Sequence, residues 1–203
     1  MDFEYENLAL QKGYKFICGV DEAGRGPLAG PVSAAAVILP MNCEIDGLND
    51  SKKLSGKKRE ILFDIIIEKA ISYSIAFCDE REIDEINILN ATFKAMKSAV
   101  EGLKVPADYC IVDGNFAIKE LSIPCEPIIK GDAKSMSIAA ASILAKVSRD
   151  RFMLEMDEKY PQYNFKKHKG YGTAEHIEMI KTHGASEIHR KSFLKNILSE
   201  QNG

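Results

Sequence analysis

Histidine is scarce in this 203-residue chain, with four in all, and its five cysteines, Cys18, Cys43, Cys78, Cys110 and Cys125, show no C-x-x-C spacing. A zinc site needs clustered imidazoles or thiolates, so both observations argue against one. An odd, scattered set of cysteines also argues against a disulfide framework. Reduced thiols in a cytosol are expected, with Cys18, Cys78 and Cys110 acting as small hydrophobes in strands. No apolar run approaches the roughly 18 residues that span a bilayer, and the opening MDFEYENLALQKGYKF is acidic, without a positive leader or an apolar stretch behind it. The expected location is therefore the cytoplasm, with no membrane partner. Low-complexity tracts and Pro/Ser linkers are missing, which excludes long disordered segments. Neither G-x-G-x-x-G nor G-x-x-x-x-G-K-[ST] occurs, so the usual phosphate-cradling loops of dinucleotide and P-loop enzymes are absent.

A global excess of positive charge is lacking too, since the formal net charge is -3. The distribution is uneven. Residues 130–195 hold 13 Lys and Arg against 8 Asp and Glu, whereas residues 1–129 hold 14 against 21. A second basic cluster, Lys52, Lys53, Lys57, Lys58 and Arg59, sits inside the acidic half.

With 45% apolar residues the chain has enough material for one substantial core. A single domain over residues 1–203 is expected, with a core at about 14–160 and a C-terminal helical extension at about 161–203 that reaches the substrate. Short apolar runs at 15–20, 32–39 and 71–78 predict three strands, and DYCIV and EPII predict two more. Helices are predicted after Ser55, over 87–103, from Ser135 to about Lys159, from Thr173 to about His183, and over 192–199. Consecutive early strands pair antiparallel, while a later strand, helix, strand unit forces a parallel crossover. The fold class is therefore α/β, with a mixed five-stranded sheet flanked by helices.

In open sheets of this kind, function gathers at the carboxyl ends of the parallel strands. Asp21 and Glu22 follow the first strand, Asp113 the fourth and Asp132 the fifth. Four converging carboxylates repel one another unless their pKa values rise or cations neutralise them. All-oxygen donors suit hard ions, Mg²⁺ or Mn²⁺, and two such ions form the clamp used for phosphodiester cleavage. Successive strand residues point to opposite faces, so the strand is expected to end or bulge at Glu22 if both acids are to meet the ions. Asp150, within VSRDRF, is expected to support the ligands from behind.

The ordered set GVDEAGRGPLAGPV, NDSKKLSGKKR, IVDGN, KGDAKSMSIAAASILAKVSRDR and HKGYGTAEH, followed by HRKSF, resembles bacterial ribonuclease HII, a type 2 ribonuclease H. The resemblance implies a ribonuclease H-like fold and an endonuclease acting on the RNA strand of RNA/DNA hybrids. It also implies incision at single ribonucleotides embedded in duplex DNA, in the removal of misincorporated ribonucleotides and RNA primers. Carried over by motif, the catalytic, metal-binding residues are Asp21, Glu22, Asp113 and Asp132, holding two Mg²⁺ or Mn²⁺ ions. Gly24, Arg25 and Gly26 match the segment that senses the ribose 2′-hydroxyl, and Tyr171 matches the tyrosine that stacks on the neighbouring sugar. Ser51, Lys52, Lys53 and Lys169, with His168 beside it, are expected phosphate contacts. A monomer is expected. The rival readings are another two-metal nuclease of the same fold, such as a junction resolvase, and a non-catalytic hybrid-binding module; a pure binder gains nothing from four acids facing phosphates.

Overall fold

Small side chains dictate the central packing. A Cβ added to Gly19 would lie 2.2 Å from the Ser137 carbonyl carbon and 2.3 Å from the Ile138 nitrogen, so only glycine lets the long helix lie this close to the sheet. Ala34, Ala35 and Ala36 beside it, and Ala139, Ala140 and Ala141 across from it, are fully buried. The computed structural model describes residues 1–48, 51 and 54–199. Its strands are β1 (Ile17–Ala23), β2 (Val32–Ile38), β3 (Ser72–Cys78), β4 (Tyr109–Asp113) and β5 (Cys125–Ile128), in the order β3-β2-β1-β4-β5. β1 pairs antiparallel with β2 and β2 with β3, while β4 runs parallel to β1 and β5 to β4. This is the mixed five-stranded sheet expected from the sequence.

Helices α1 (Glu4–Gln11), α2 (Gly56–Lys69), α3 (Glu80–Glu101) and α4 (Met136–Lys159) surround it, and α5 (Phe165–His168), α6 (Ala174–His183) and α7 (Lys191–Ser199) follow. α3 covers one face, packing Ala95, Met96 and Ala99 over Val20, Val32, Ala34 and Val112. α4 and α2 cover the other, where Val37, Leu62, Ile66, Ile143 and Leu144 form the core. Each such buried aliphatic side chain contributes about 1.5–3 kcal/mol. The C-terminal helices gather a third cluster around Met153, Tyr163, Phe165, Ile180 and Leu194. Among the described residues no helix is long and apolar enough to cross a membrane.

The helix starts read from sequence at Ser55, Ser135 and Thr173 hold, and each is capped by a side chain. Ser55, Ser135 and Thr173 accept from the backbone N–H groups of Lys58, Ile138 and His176. Three elements differ from expectation. α1 is not among the predicted helices and is held by tertiary contact: buried Glu6 accepts from Ser135 Oγ at 2.7 Å and the Ser137 N–H at 3.1 Å, docking α1 on the start of α4. α3 begins seven residues earlier than predicted, capped by Asp79, and is broken at Asn87 (φ 66°), whose side chain recaps the helix through Leu89 and Asn90. In α2, where helical spacing predicts a stripe of Ile61, Leu62, Ile65, Ile66 and Lys69, the buried residues are Leu62, Phe63 and Ile66, and Ile61 is exposed.

Candidate active site

β1, β4 and the turn after β5 bring three of the predicted acids together. Asp21, Asp113 and Asp132 each offer a carboxylate oxygen, and these oxygens lie within 4.8 Å of one another. The pairing of Val20 with Val112 places Asp21 and Asp113 at adjacent strand ends on one face. Asp132 comes from a short 3-10 turn, Gly131–Ala133, which is pinned to β4 because the Gly131 N–H donates to Asp113 Oδ1 at 2.7 Å.

The expectation that β1 ends at Glu22 is corrected. The strand runs on through Ala23, with Asp21, Glu22 and Ala23 in register with Ala35, Ala34 and Ser33. Alternation therefore sends Asp21 to the α4 face and Glu22 to the α3 face. There Glu22 sits 3.5 Å from Arg25 and borders a hollow with Leu89, Met96 and Asp113. Both carboxylates still line one cleft with Gly24, Arg25, Gly26, Ser51 and Tyr171.

Electrostatics follow from this crowding. Burial, then the charges of Glu22 and Asp113, push the Asp21 carboxyl well above the usual range, against hydrogen bonds from the Ser142 hydroxyl and the Glu22 N–H. Burial also raises Glu22, opposed first by the Arg25 guanidinium. Ser142 donates to Asp21 and so accepts from Ser51 at 2.8 Å, which puts the Ser51 hydroxyl behind the acids. Asp150 lies outside the three-carboxylate group: it pairs with Lys146 at 2.6 Å and Arg59 at 3.9 Å, and Lys146 lines the cleft. Lys52 and Lys53 lie outside the described residues; Arg59 donates to the flanking carbonyls of Ser51 and Leu54.

Two residues that the sequence did not single out hold the glycine-rich loop. Arg149 of α4 and Arg190, just before α7, are both fully buried. Arg190 donates to the carbonyls of Gly24 (2.6 Å), Arg25 (2.9 Å) and Gly30 (2.9 Å). Arg149 donates to those of Pro31 (2.9 Å), Ala29 (3.0 Å) and Lys169 (3.0 Å). Gly24 has a φ of +96°, and a Cβ there would lie 2.0 Å from Arg149 Nε, so the glycine supplies both the backbone conformation and the room for the guanidinium. Burial depresses Arg149 to about 10 and Arg190 to about 9, so both remain cations at neutral pH. The same arginine joins the loop to the Tyr171 side of the cleft: Arg149 lies 6.0 Å from the centroid of the half-exposed Tyr171 ring, and it fixes the carbonyl of Lys169. Lys169 is partly buried, and its ammonium donates to the Lys166 carbonyl. His168 is buried, outside the cleft lining.

A mixed sheet whose central parallel strands end in a carboxylate cluster, overhung by a loop of glycines, defines the ribonuclease H class of α/β protein. The ribonuclease HII family model matches residues 18–196. The ribonuclease HII of Caldicellulosiruptor bescii is 61% identical over 97% of this chain and 95% of its own length. Among solved structures, the ribonuclease H2 of Pyrococcus horikoshii superposes with a TM-score of 0.75 at 27% identity, covering 93% of this chain and 99% of that one. The Bst ribonuclease HIII solved in complex with Mn²⁺ shares the fold, with a TM-score of 0.72 at 18% identity over 91% of this chain and 70% of its own. The chain belongs to the ribonuclease HII family and is a ribonuclease H endonuclease.

Proposed function

We propose that the chain hydrolyses the RNA strand of RNA/DNA hybrids and incises 5′ of single ribonucleotides in duplex DNA, leaving 3′-hydroxyl and 5′-phosphate ends, with two divalent ions bound at the acids. The observation that carries this reading is the convergence of Asp21, Asp113 and Asp132 beside the Gly24 to Gly26 loop.

The donor set fits the ions. It is all oxygen, as Mg²⁺ and Mn²⁺ require, and burial with the nearby charges of Glu22 and Asp113 raises the Asp21 carboxyl, a crowding that a cation would relieve. Asp21, Asp113 and Asp132 would hold one ion and Asp21 with Glu22 the second. When bound, such ions activate water and neutralise charge on the departing oxygen. The protein's own part is orientation. Ser142 fixes Asp21, the Gly131 N–H fixes Asp113, and Arg25 restrains Glu22. Arg190 holds the carbonyls of Gly24 and Arg25, and Arg149 those of Ala29 and Pro31 further along the loop, so a ribose entering the cleft meets a preset backbone surface that the glycines leave open. Tyr171 closes the opposite side and packs on the adjoining sugar. Lys146 and Lys169, with Lys52 and Lys53, contact phosphates that position the duplex without reading its sequence. Residues 161–203 form the substrate-contacting extension that carries Lys169 and Tyr171, and the enzyme acts as a monomer in the cytoplasm.

The test is cleavage of a DNA duplex bearing one ribonucleotide, with and without Mg²⁺ or Mn²⁺. The native protein cuts on the 5′ side of the ribonucleotide only with metal, and Asp21→Asn binds the duplex without cutting it. Turnover by Asp21→Asn, or equal cutting of all-DNA duplex or branched DNA, would refute the assignment.

A further inference from the structure

Three of the four histidines are buried together beneath the Tyr171 turn: His168, His176 and His189. His168 stacks on His176 at a centroid distance of 4.3 Å, and Phe165 meets both edge-on. Every ring nitrogen of the three is hydrogen-bonded, and the partners at the two ends of the chain determine where each proton sits.

The backbone N–H of Ser186 can only donate, and it points at His189 Nδ1 from 2.9 Å. His189 must therefore carry its proton on Nε2, which lies 3.0 Å from His176 Nε2. His176 accepts there, so its own proton is on Nδ1, 2.9 Å from the Tyr171 carbonyl oxygen. A carbonyl can only accept, so the far end of the chain demands the same tautomer as the near end. His168 is fixed independently: the Gly170 N–H donates to its Nδ1, and its Nε2 donates to the Tyr163 carbonyl. With all six nitrogens engaged, the cluster offers no position to a metal ion. Burial also favours the neutral rings, holding His176 and His189 at about 4.

We propose that Ser186, His189 and His176 form a one-way hydrogen-bond relay that fixes the backbone at Tyr171, so that the segment before α7 sets the position of the ring contacting the substrate sugar. His176 and His189 are thus positioning residues, and the assignment rests on the reading of Tyr171 as a substrate contact. The geometry gives the relay its leverage. Among the described residues the Tyr171 carbonyl accepts from one other donor, the Thr173 N–H at 2.8 Å, and the ring itself is half-exposed, with Arg149 6.0 Å from its centroid. Ser186 and His189 come from the chain segment that also delivers Arg190 to the glycine-rich loop, so one stretch of sequence positions both walls of the cleft.

Three measurements test this. Long-range ¹⁵N–¹H correlation of the imidazoles at pH 7.5 is expected to show His176 protonated on Nδ1 and His189 on Nε2; His176 protonated on Nε2 would overturn the relay. The chain has no tryptophan, so Tyr171→Trp is a sole reporter at the turn. Adding His176→Leu should lower its fluorescence anisotropy, whereas His176→Asn, whose amide can replace the Nδ1 donor, should restore it; unchanged anisotropy in a folded His176→Leu protein overturns the proposal. In the Tyr171 enzyme, His176→Leu should raise KM for the single-ribonucleotide duplex by about tenfold with kcat within about threefold, and His176→Asn should recover most of the loss. Should His176→Leu not fold, the tautomer and the His176→Asn kinetics still decide. If Tyr171→Ala leaves KM unchanged while the anisotropy responds as expected, the substrate reading of Tyr171 fails and the relay stands.

Discussion

Replacing Arg190 with methionine removes a cation from the interior and leaves a side chain of comparable length. Arg190 donates to the carbonyls of Gly24, Arg25 and Gly30, all on the loop that overhangs the acids. Hydrogen bonds from a charged donor contribute about 1.5–3 kcal/mol each, so three of them are worth on the order of 6 kcal/mol. Against this stands the cost of holding the cation in the interior. Burial pulls Arg190 from 12.5 to about 9, and at about 1.4 kcal/mol per pKa unit the cost is on the order of 4 kcal/mol once water reaching the relaxed site is allowed for. Methionine escapes that cost but leaves three carbonyls without the donors they face, each worth about 1 kcal/mol or more.

The net loss for Arg190→Met is therefore about 5 kcal/mol, which in a protein of this size lowers Tm by roughly 10–20 °C. Arg190→Lys should be no better, because the ammonium keeps the charge and loses the planar fork that reaches three carbonyls at once. Urea unfolding and thermal melts measure the stability. Cleavage of a duplex with one ribonucleotide, measured below the melting range, reads the loop. kcat/KM is expected to fall at least tenfold in both variants, because the glycine backbone is no longer held against the acids. A folded Arg190→Met protein within about 0.5 kcal/mol of the native stability and with native kcat/KM would refute the claim that this guanidinium organises the loop.

Three further outcomes follow from the same geometry. Gly24→Ala places a methyl against Arg149 Nε at a φ of +96° and should cost about 2–4 kcal/mol together with most of the activity, read by melting and by cleavage; native behaviour would mean that the loop tolerates a different path. Asp21 is a carboxyl raised in the fold, so its ionisation opposes folding as pH rises through its folded pKa. Asp21→Asn should accordingly raise the stability of the metal-stripped protein at pH 8, by roughly 1–2 kcal/mol, and abolish the further rise that Mg²⁺ gives the native chain, both visible in melts with and without chelator. His176 and His189 are lowered to about 4, so the folded state refuses protons that the unfolded chain takes up near 6.5. Their contribution is complete above about pH 6.5 and is lost toward pH 4, on the order of 3 kcal/mol for each of the two. The native protein should therefore lose more stability between pH 7.5 and 4.5 than His176→Asn/His189→Gln, in which Asp21 and Glu22 exert the same opposing effect; equal losses would refute it.

What could be read from the sequence divides along physical lines. Strand ends and helix caps are local, so Asp113, Asp132, Ser55, Ser135 and Thr173 were found where a short stretch of chain determines the structure. The side of the sheet that Glu22 faces was misjudged, because whether β1 stops or continues depends on β2: pairing with Ala34 and Ser33 draws the strand onward through a sequence that would otherwise turn. α1 was missed for a similar reason, since its anchor, Glu6, finds its partners about 130 residues away at the start of α4. Arg149 and Arg190 were the least legible. Arginine is ordinarily a surface residue, and no pattern within VSRDRF or HRKSF marks its guanidinium as buried.

That illegibility has a cause in the chemistry of the loop. A sensor built of bare backbone has few side chains of its own with which to pack, so its rigidity must be imposed from outside. The stretch from Gly24 to Pro31 turns its carbonyls inward, where burial without donors would be costly. Two guanidiniums answer this with three donated bonds apiece to loop and neighbouring carbonyls, one from the long helix and one from the segment before the last helix. Lysine could not replace either, because a single ammonium cannot span carbonyls so far apart along the chain. The cost of burying two cations is thus the consequence of leaving the cleft face of the loop open to a ribose. The glycines that open that face and the arginines behind it are a single device, and a substitution at either end should fail in the same way.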